Sequence, residues 1–115
     1  MEVFRSALQL ESVGLTDDYL LLGESSLTGD TWDGRVSVYH RLPARITPLA
    51  AAPQPHAVAE ALWWGASPLC LCDNGDLVCF ASHALESPKR VSAHHGLGVA
   101  VAVAGESVIT AAEDE

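Results

Sequence analysis

One phrase occurs twice in this chain. Trp32-Asp33-Gly34-Arg35-Val36-Ser37-Val38-Tyr39 is matched by Asp73-Asn74-Gly75-Asp76-Leu77-Val78-Cys79-Phe80, and the aligned glycines, Gly34 and Gly75, are 41 residues apart. Each copy reads as a tight turn, where glycine supplies a backbone conformation that other residues resist. A strand of alternating apolar and polar positions follows and ends in an aromatic. Such a unit is apolar on one face and can bury it only against a neighbour.

A repeat of roughly 40 to 45 residues is the period of a WD-type propeller blade, and the spacing of 41 lies within it. The expected fold is therefore all-β, a WD-repeat β-propeller. Propellers use about four to eight four-stranded blades, whereas 115 residues at this period hold not quite three. The chain accordingly reads as an N-terminal fragment of about two and a half blades, stopping after Ala111-Ala112-Glu113-Asp114-Glu115, where a turn into the next strand would start. The expected divisions are an N-terminal arm and first blade over 1–41, an irregular connection over 42–56, a second blade over 57–90 and the start of a third over 91–115.

Along the first of these, Tyr19-Leu20-Leu21-Leu22 reads as a buried strand closed by Gly23. Glu24 to Thr31 is too long and polar for a two-residue turn, so a longer loop is expected to project there, ahead of a strand from Arg35 to His40. Leu42 to His56 holds four prolines and an alanine run, the composition of an irregular connection. In the second blade, strands are expected over Ala57–Trp64, Pro68–Cys72 and Leu77–Ala81, the last two joined by Asp73-Asn74-Gly75, a strong hairpin signal. A loop from His83 to Arg90 leads on to Val99–Val103 and Ser107–Ala111, a hairpin that begins the third blade.

Six basic residues against fifteen acidic ones give a formal net charge of −9. The phosphate neutralisation that supplies affinity for nucleic acid is missing, and anionic membrane surfaces are disfavoured for the same reason. Basic partners such as lysine- and arginine-rich tails would be favoured, although solubility alone also accounts for the charge. The start Met1-Glu2-Val3-Phe4-Arg5-Ser6 lacks the basic flank and apolar stretch of a signal peptide, and the three cysteines fall in expected strands. Reduced thiols in a cytoplasmic or nuclear protein follow from that placement.

Little in the chain argues for chemistry. His94 is followed by a strand, a turn, a second strand carrying Thr110, and then Asp114. WD blades place a histidine, a hydroxyl and an aspartate in that order, where they bond one another and satisfy polar groups that packing would otherwise strand. A catalytic Thr-His-Asp arrangement is the rival, disfavoured because such a network turns no nucleophile toward a cleft. Cys70 and Cys72 share one side of a strand, with Cys79 on the next, but their spacing fits no paired C-x2-C zinc pattern, so core thiols are expected and no metal or cofactor. Phosphate-loop, H-E-x-x-H and G-x-S-x-G motifs do not occur, and the chain is not expected to be an enzyme. Trp63 and Trp64 lie in an expected strand and suit packing. Trp32 follows a polar loop, where its ring either anchors a partner or folds back over its own hairpin.

The segment Leu20-Leu21-Leu22-Gly23-Glu24-Ser25-Ser26-Leu27-Thr28-Gly29, with Trp32 and Gly34 after it, resembles the first blade of the methylosome WD-repeat subunits. These are the propeller partners of the type II protein arginine methyltransferase. The likeness continues more weakly through Val58–Trp64, Asp73–Phe80 and His94–Asp114, and spans about the first third of that family's length. It implies a seven-bladed, non-catalytic scaffold. Such a scaffold binds the methyltransferase's N-terminal barrel and helps present histone and Sm protein tails for symmetric arginine dimethylation. By that resemblance Trp32 inserts into the barrel, with Ser25, Leu27 and Asp30 shaping its loop. The chain departs from the family at Asp30, where mammalian members carry a basic residue, in its short arm before Leu8, and in lacking Trp-Asp strand endings. A WD adaptor of another assembly, such as a ubiquitin-ligase substrate receptor, is the alternative, and it would have no reason to keep the first-blade loop.

Overall fold

Four consecutive residues, Leu69-Cys70-Leu71-Cys72, are all buried. Successive side chains of a strand point to opposite faces, so a strand buried at every position must be covered on both sides. Cys70 and Cys72 pack with Leu21, Val36, Val38, Val58, Ala61, Val78 and Phe80, while Leu69 and Leu71 pack with Val101 and, around them, Val103 and Val108. The chain thus has two apolar layers, and the strand containing these residues belongs to a sheet sandwiched between two others.

The computed structural model describes residues 8–28 and 31–113. The first sheet contains β1 (Gln9–Leu15), β2 (Tyr19–Thr28), β3 (Thr31–Leu42) and β4 (Arg45–Gln54). The second contains β5 (Val58–Trp64), β6 (Ser67–Cys72), β7 (Asp76–Cys79) and β8 (Lys89–Ser92), and a hairpin of β9 (Leu97–Ala104) and β10 (Ser107–Glu113) forms the third. Every pairing is antiparallel and the strands of each sheet lie in chain order, so the fold is all-β, with no helix among the described residues. No helix among them is long and apolar enough to cross a membrane.

The first strands of the sheets stack on one another, β1 against β5 and β5 against β9. A bulge between Val58 and Glu60 turns Val58 and Ala61 to the face that meets the first sheet. Polar bonds then pin each junction. Ser12 Oγ donates to the Ala61 carbonyl at 2.8 Å and accepts from the Ala61 amide, the Glu60 carboxylate accepts from the Val101 amide at 3.0 Å, and Trp64 Nε1 donates to the Gly105 carbonyl at 2.8 Å.

The two glycines of the repeated phrase do not share a turn. Gly75 does sit in one, with φ +92° and its amide bonded to the Cys72 carbonyl at 3.0 Å. Gly34 instead lies within β3, opposite Ser25 on one side and Gln54 on the other. What the pair shares is contact with the next sheet: a Cβ on Gly34 would fall 2.4 Å from the His56 carbonyl oxygen, and one on Gly75 2.4 Å from that of His94. The period of 41 records where one sheet's backbone lies against the segment entering the next.

Three further expectations differ from the structure. The segment from Glu24 to Thr31 is not a projecting loop through its described part, because β2 runs on to Thr28 and β3 begins at Thr31; the charge of Glu24, which helped to suggest a loop, is satisfied within the sheet. The stretch 42–56 is mostly β4, an edge strand, where proline's missing N–H costs no ladder bond; Pro48 sits at a register shift opposite Tyr39. The connection after His83 ends in β8, whose four residues are all exposed and carry no apolar alternation to announce a strand.

Backbone crowding makes a direct expectation. Gly34→Ala should lower stability by about 3 kcal/mol, since its new methyl meets backbone that cannot turn aside. Gly105→Ala, at φ +58° with nothing within 4 Å of the new Cβ, should cost only about 1 kcal/mol. Urea midpoints of the two variants measure the difference, and equal midpoints would refute the close approach.

Candidate partner-binding surfaces

The β2–β3 pairing is unbroken from Tyr19 opposite His40 to Thr28 opposite Thr31. Neighbouring strands stop sooner: β1 pairs with β2 only as far as Ser25, and β4 with β3 only as far as Gly34. Past those residues Ser26, Leu27 and Thr28 pair with Asp33, Trp32 and Thr31 alone among the described residues, so a two-stranded ribbon stands beyond the body of the sheet.

A buried charge holds the root of this ribbon. Glu24 is fully buried, and its carboxylate accepts from Arg35 Nε at 3.1 Å, from Arg35 Nη2 at 3.0 Å and from Ser37 Oγ at 2.6 Å. The fork of the guanidinium matches the two carboxylate oxygens, which is the geometry that makes such pairs strong. Hydrogen bonding to Glu24 holds the Arg35 guanidinium above its ordinary value. One face of Arg35 reaches water, its side chain being 35% exposed, so the pair is a clamp between the interior and the surface.

Of the residues expected to meet a partner, Trp32 and Leu27 are backbone partners in the ribbon ladder, and Asp30 lies outside the described residues. Ser25 belongs to the root: it is 2% exposed, and its Oγ has no partner among the described residues, so its side chain lies within the sheet rather than on its surface. His94 Nε2 and Thr110 Oγ1 are 2.7 Å apart, between the end of the second sheet and the third. Asp114, the expected third member, lies outside the described residues. Cys70 and Cys72 are buried in the first apolar layer, while Cys79 is half-buried beside the second. A hydrogen bond to Cys72 and burial push the Cys70 thiol far above its ordinary value, which leaves it a neutral packing group. Among the described residues no group of three or more His, Cys, Asp or Glu side chains is placed to hold a metal ion.

Sequence reasoning missed a cleft at the other end of the sheets. Thr16, Asp17, Asp18 and Tyr19 from the β1–β2 turn, Trp63, Gly65 and Ala66 from the β5–β6 turn, and His83 after β7 enclose about 350 Å³. Tyr19 stacks with His83, at a centroid distance of 4.4 Å, and with His40, at 5.5 Å, and Trp63 is tilted against it at 6.0 Å. Tyr19 opens the apolar run Tyr19–Leu22 and Trp63 lies within Ala61–Trp64, but 64 residues separate Tyr19 from His83 and nothing local announces that they meet.

Neither a protein-family model nor a curated protein matches the chain.

The clamp can be tested. Arg35→Ala leaves the Glu24 carboxylate buried with fewer donors and should destabilise the chain by about 3 kcal/mol. Replacing both partners, Glu24→Leu with Arg35→Met, should recover most of that loss, because no charge is then left without water. Urea denaturation of the two variants decides it: a double variant no more stable than the single one would show that the desolvated carboxylate is not the cause.

Proposed function

We propose that this chain is the N-terminal part of a non-catalytic WD-repeat propeller, a scaffold subunit of the methylosome. In this reading it binds a type II protein arginine methyltransferase and helps present basic substrates, histone and Sm protein tails, for symmetric arginine dimethylation. The observation that carries the reading is the β2–β3 ribbon, which sets the backbone of Trp32 beyond the edge of its own sheet, within the segment Leu20 to Gly34 that resembles the family's first blade. A tryptophan on a projecting hairpin anchored by a rigid root is the kind of residue that dominates binding energy at an interface.

The repeated sheet packing supports the propeller part of the reading. Consecutive sheets of antiparallel strands in chain order, stacked through their first strands, are what successive blades would be. Val13 and Leu15 on the first sheet and Ile109 on the third are each more than half exposed, and further blades of the same kind would cover such side chains. The formal charge of −9 suits a surface that gathers basic tails. Partner binding of this kind asks for no catalytic group.

Capture by the methyltransferase tests the proposal. The chain, and a version extended to seven blades, should be retained by the immobilised enzyme, and Trp32→Ala should weaken retention by about 2 kcal/mol or more. Loss of capture on Trp32→Ala in a variant with an unchanged circular dichroism spectrum supports the anchor. Retention at the affinity of the unaltered chain would remove it. Absence of capture by a folded seven-bladed form would leave a WD adaptor of another complex, such as a ubiquitin-ligase substrate receptor.

A further inference from the structure

The cleft between the first two sheets has a definite chemical character. Its walls are aromatic and its lip is acidic. Tyr19 is held in the wall by the His83 and His40 imidazoles stacked against it, and Trp63 is tilted beside it. Gly65 at φ +62° has no atom within 4 Å of where a Cβ would sit, so the cleft stays open along the β5–β6 turn. Asp17 and Asp18 stand at the opening, and both are exposed. Neither carboxylate is hydrogen-bonded or ion-paired to another described residue.

No charged group among the described residues forms an ion pair with them. Arg41 lines an adjoining hollow with Asp17 and Asp18, but its guanidinium is turned to the Thr16 carbonyl. His83 and His40 are engaged with the Tyr19 ring, and the Tyr19 hydroxyl is 3.4 Å from His83 Nε2. The site therefore offers two unpaired negative charges beside apolar, π-rich surface.

We propose that this cleft binds one guanidinium carried on an apolar stem, the end of an arginine side chain in a partner protein. A guanidinium is planar and weakly hydrated, stacks on aromatic faces and donates in a fork to carboxylates. An ammonium is a compact, strongly hydrated charge that gains less from rings. The stem would lie along Trp63 and Ala66 while the head meets Asp17 and Asp18. This inference follows from the cleft alone and does not rest on the methyltransferase reading, since the cleft and the Trp32 ribbon are at opposite ends of the sheets.

The test uses the full chain and three small probes in low salt, n-butylguanidinium, n-butylammonium and the neutral n-butylurea, with the amide and indole signals of Gly65, Ala66 and Trp63 followed by NMR. Saturable shifts at these residues are expected for n-butylguanidinium, weaker binding for n-butylammonium and none for n-butylurea. Asp17→Asn with Asp18→Asn, both exposed and isosteric, should weaken guanidinium binding by about tenfold or more, the loss expected for two nearby charges near a protein surface. A plug, Ala66→Trp, should abolish it without unfolding the chain, Ala66 being an exposed turn residue. Equal binding of n-butylurea, or full binding by the double variant, would overturn the proposal. The peptide acetyl-Gly-Arg-Gly-amide separates the sources: binding at least as tight as that of n-butylguanidinium supports a protein side chain, and its exclusion would overturn that source in favour of a small free cation.

Discussion

The fold depends on backbone meeting backbone between sheets. At Gly34, Gly75 and Gly98 a single added carbon would lie 2.4 Å from the carbonyl oxygen of a residue in an adjoining segment, His56, His94 and Cys72 respectively. Sheets that pack through side chains alone stand about 10 Å apart; where first strands pass close to their neighbours, a side chain must be given up locally. The two apolar layers can close only if these approaches are made, because Val58 at the first junction and Leu71 at the second are the side chains found beside the crowded glycines. Spacing of the stack and burial of the middle sheet are one constraint seen from two sides.

Within that stack the Glu24 clamp has a different role. A buried carboxylate is poor evidence of added stability, since its desolvation offsets much of what its partners return. It is better evidence of register. A slip of one residue between β2 and β3 would turn Glu24 away from Arg35 and Ser37 and reverse the faces of Leu21, Val36 and Val38. Charge and apolar pattern therefore specify the same alignment, and the ribbon beyond Ser25 and Gly34 inherits it. A ribbon with no flanking strands among the described residues depends on its root for orientation, which gives the polar residues Glu24 and Ser37 their place beside Leu21, Val36 and Val38.

Much of the β architecture was legible in the sequence where local pattern and burial agree. β5, β6 and the β9–β10 hairpin fall close to where alternation placed them, and the Asp73-Asn74-Gly75 turn is where its chemistry put it. Misreadings came where tertiary partners overrule composition. Glu24 looks like a loop residue until Arg35 and Ser37 are brought beside it, β4 tolerates its prolines because it lies at an edge, and β8 is exposed at all four positions. Of the candidate surfaces, the segment holding Trp32 was visible in the sequence because it is contiguous. The cleft was not, since it is assembled from two turns and a loop that only the stacking of two sheets brings together.

The relative position of the two candidate surfaces bears on what the proposed scaffold could do. β2 connects them directly: it begins at Tyr19, in the wall of the cleft, and ends at Thr28, in the ribbon. Ten extended residues span roughly 30 Å, so a protein held by the ribbon and a basic side chain held by the cleft would not compete for space. Both would be fixed to one strand whose register is set by Glu24 and whose faces are set by the first apolar layer. If the ribbon and the cleft bind as proposed, one strand would hold two partners at a fixed separation, and a fixed separation raises the effective concentration of one at the other.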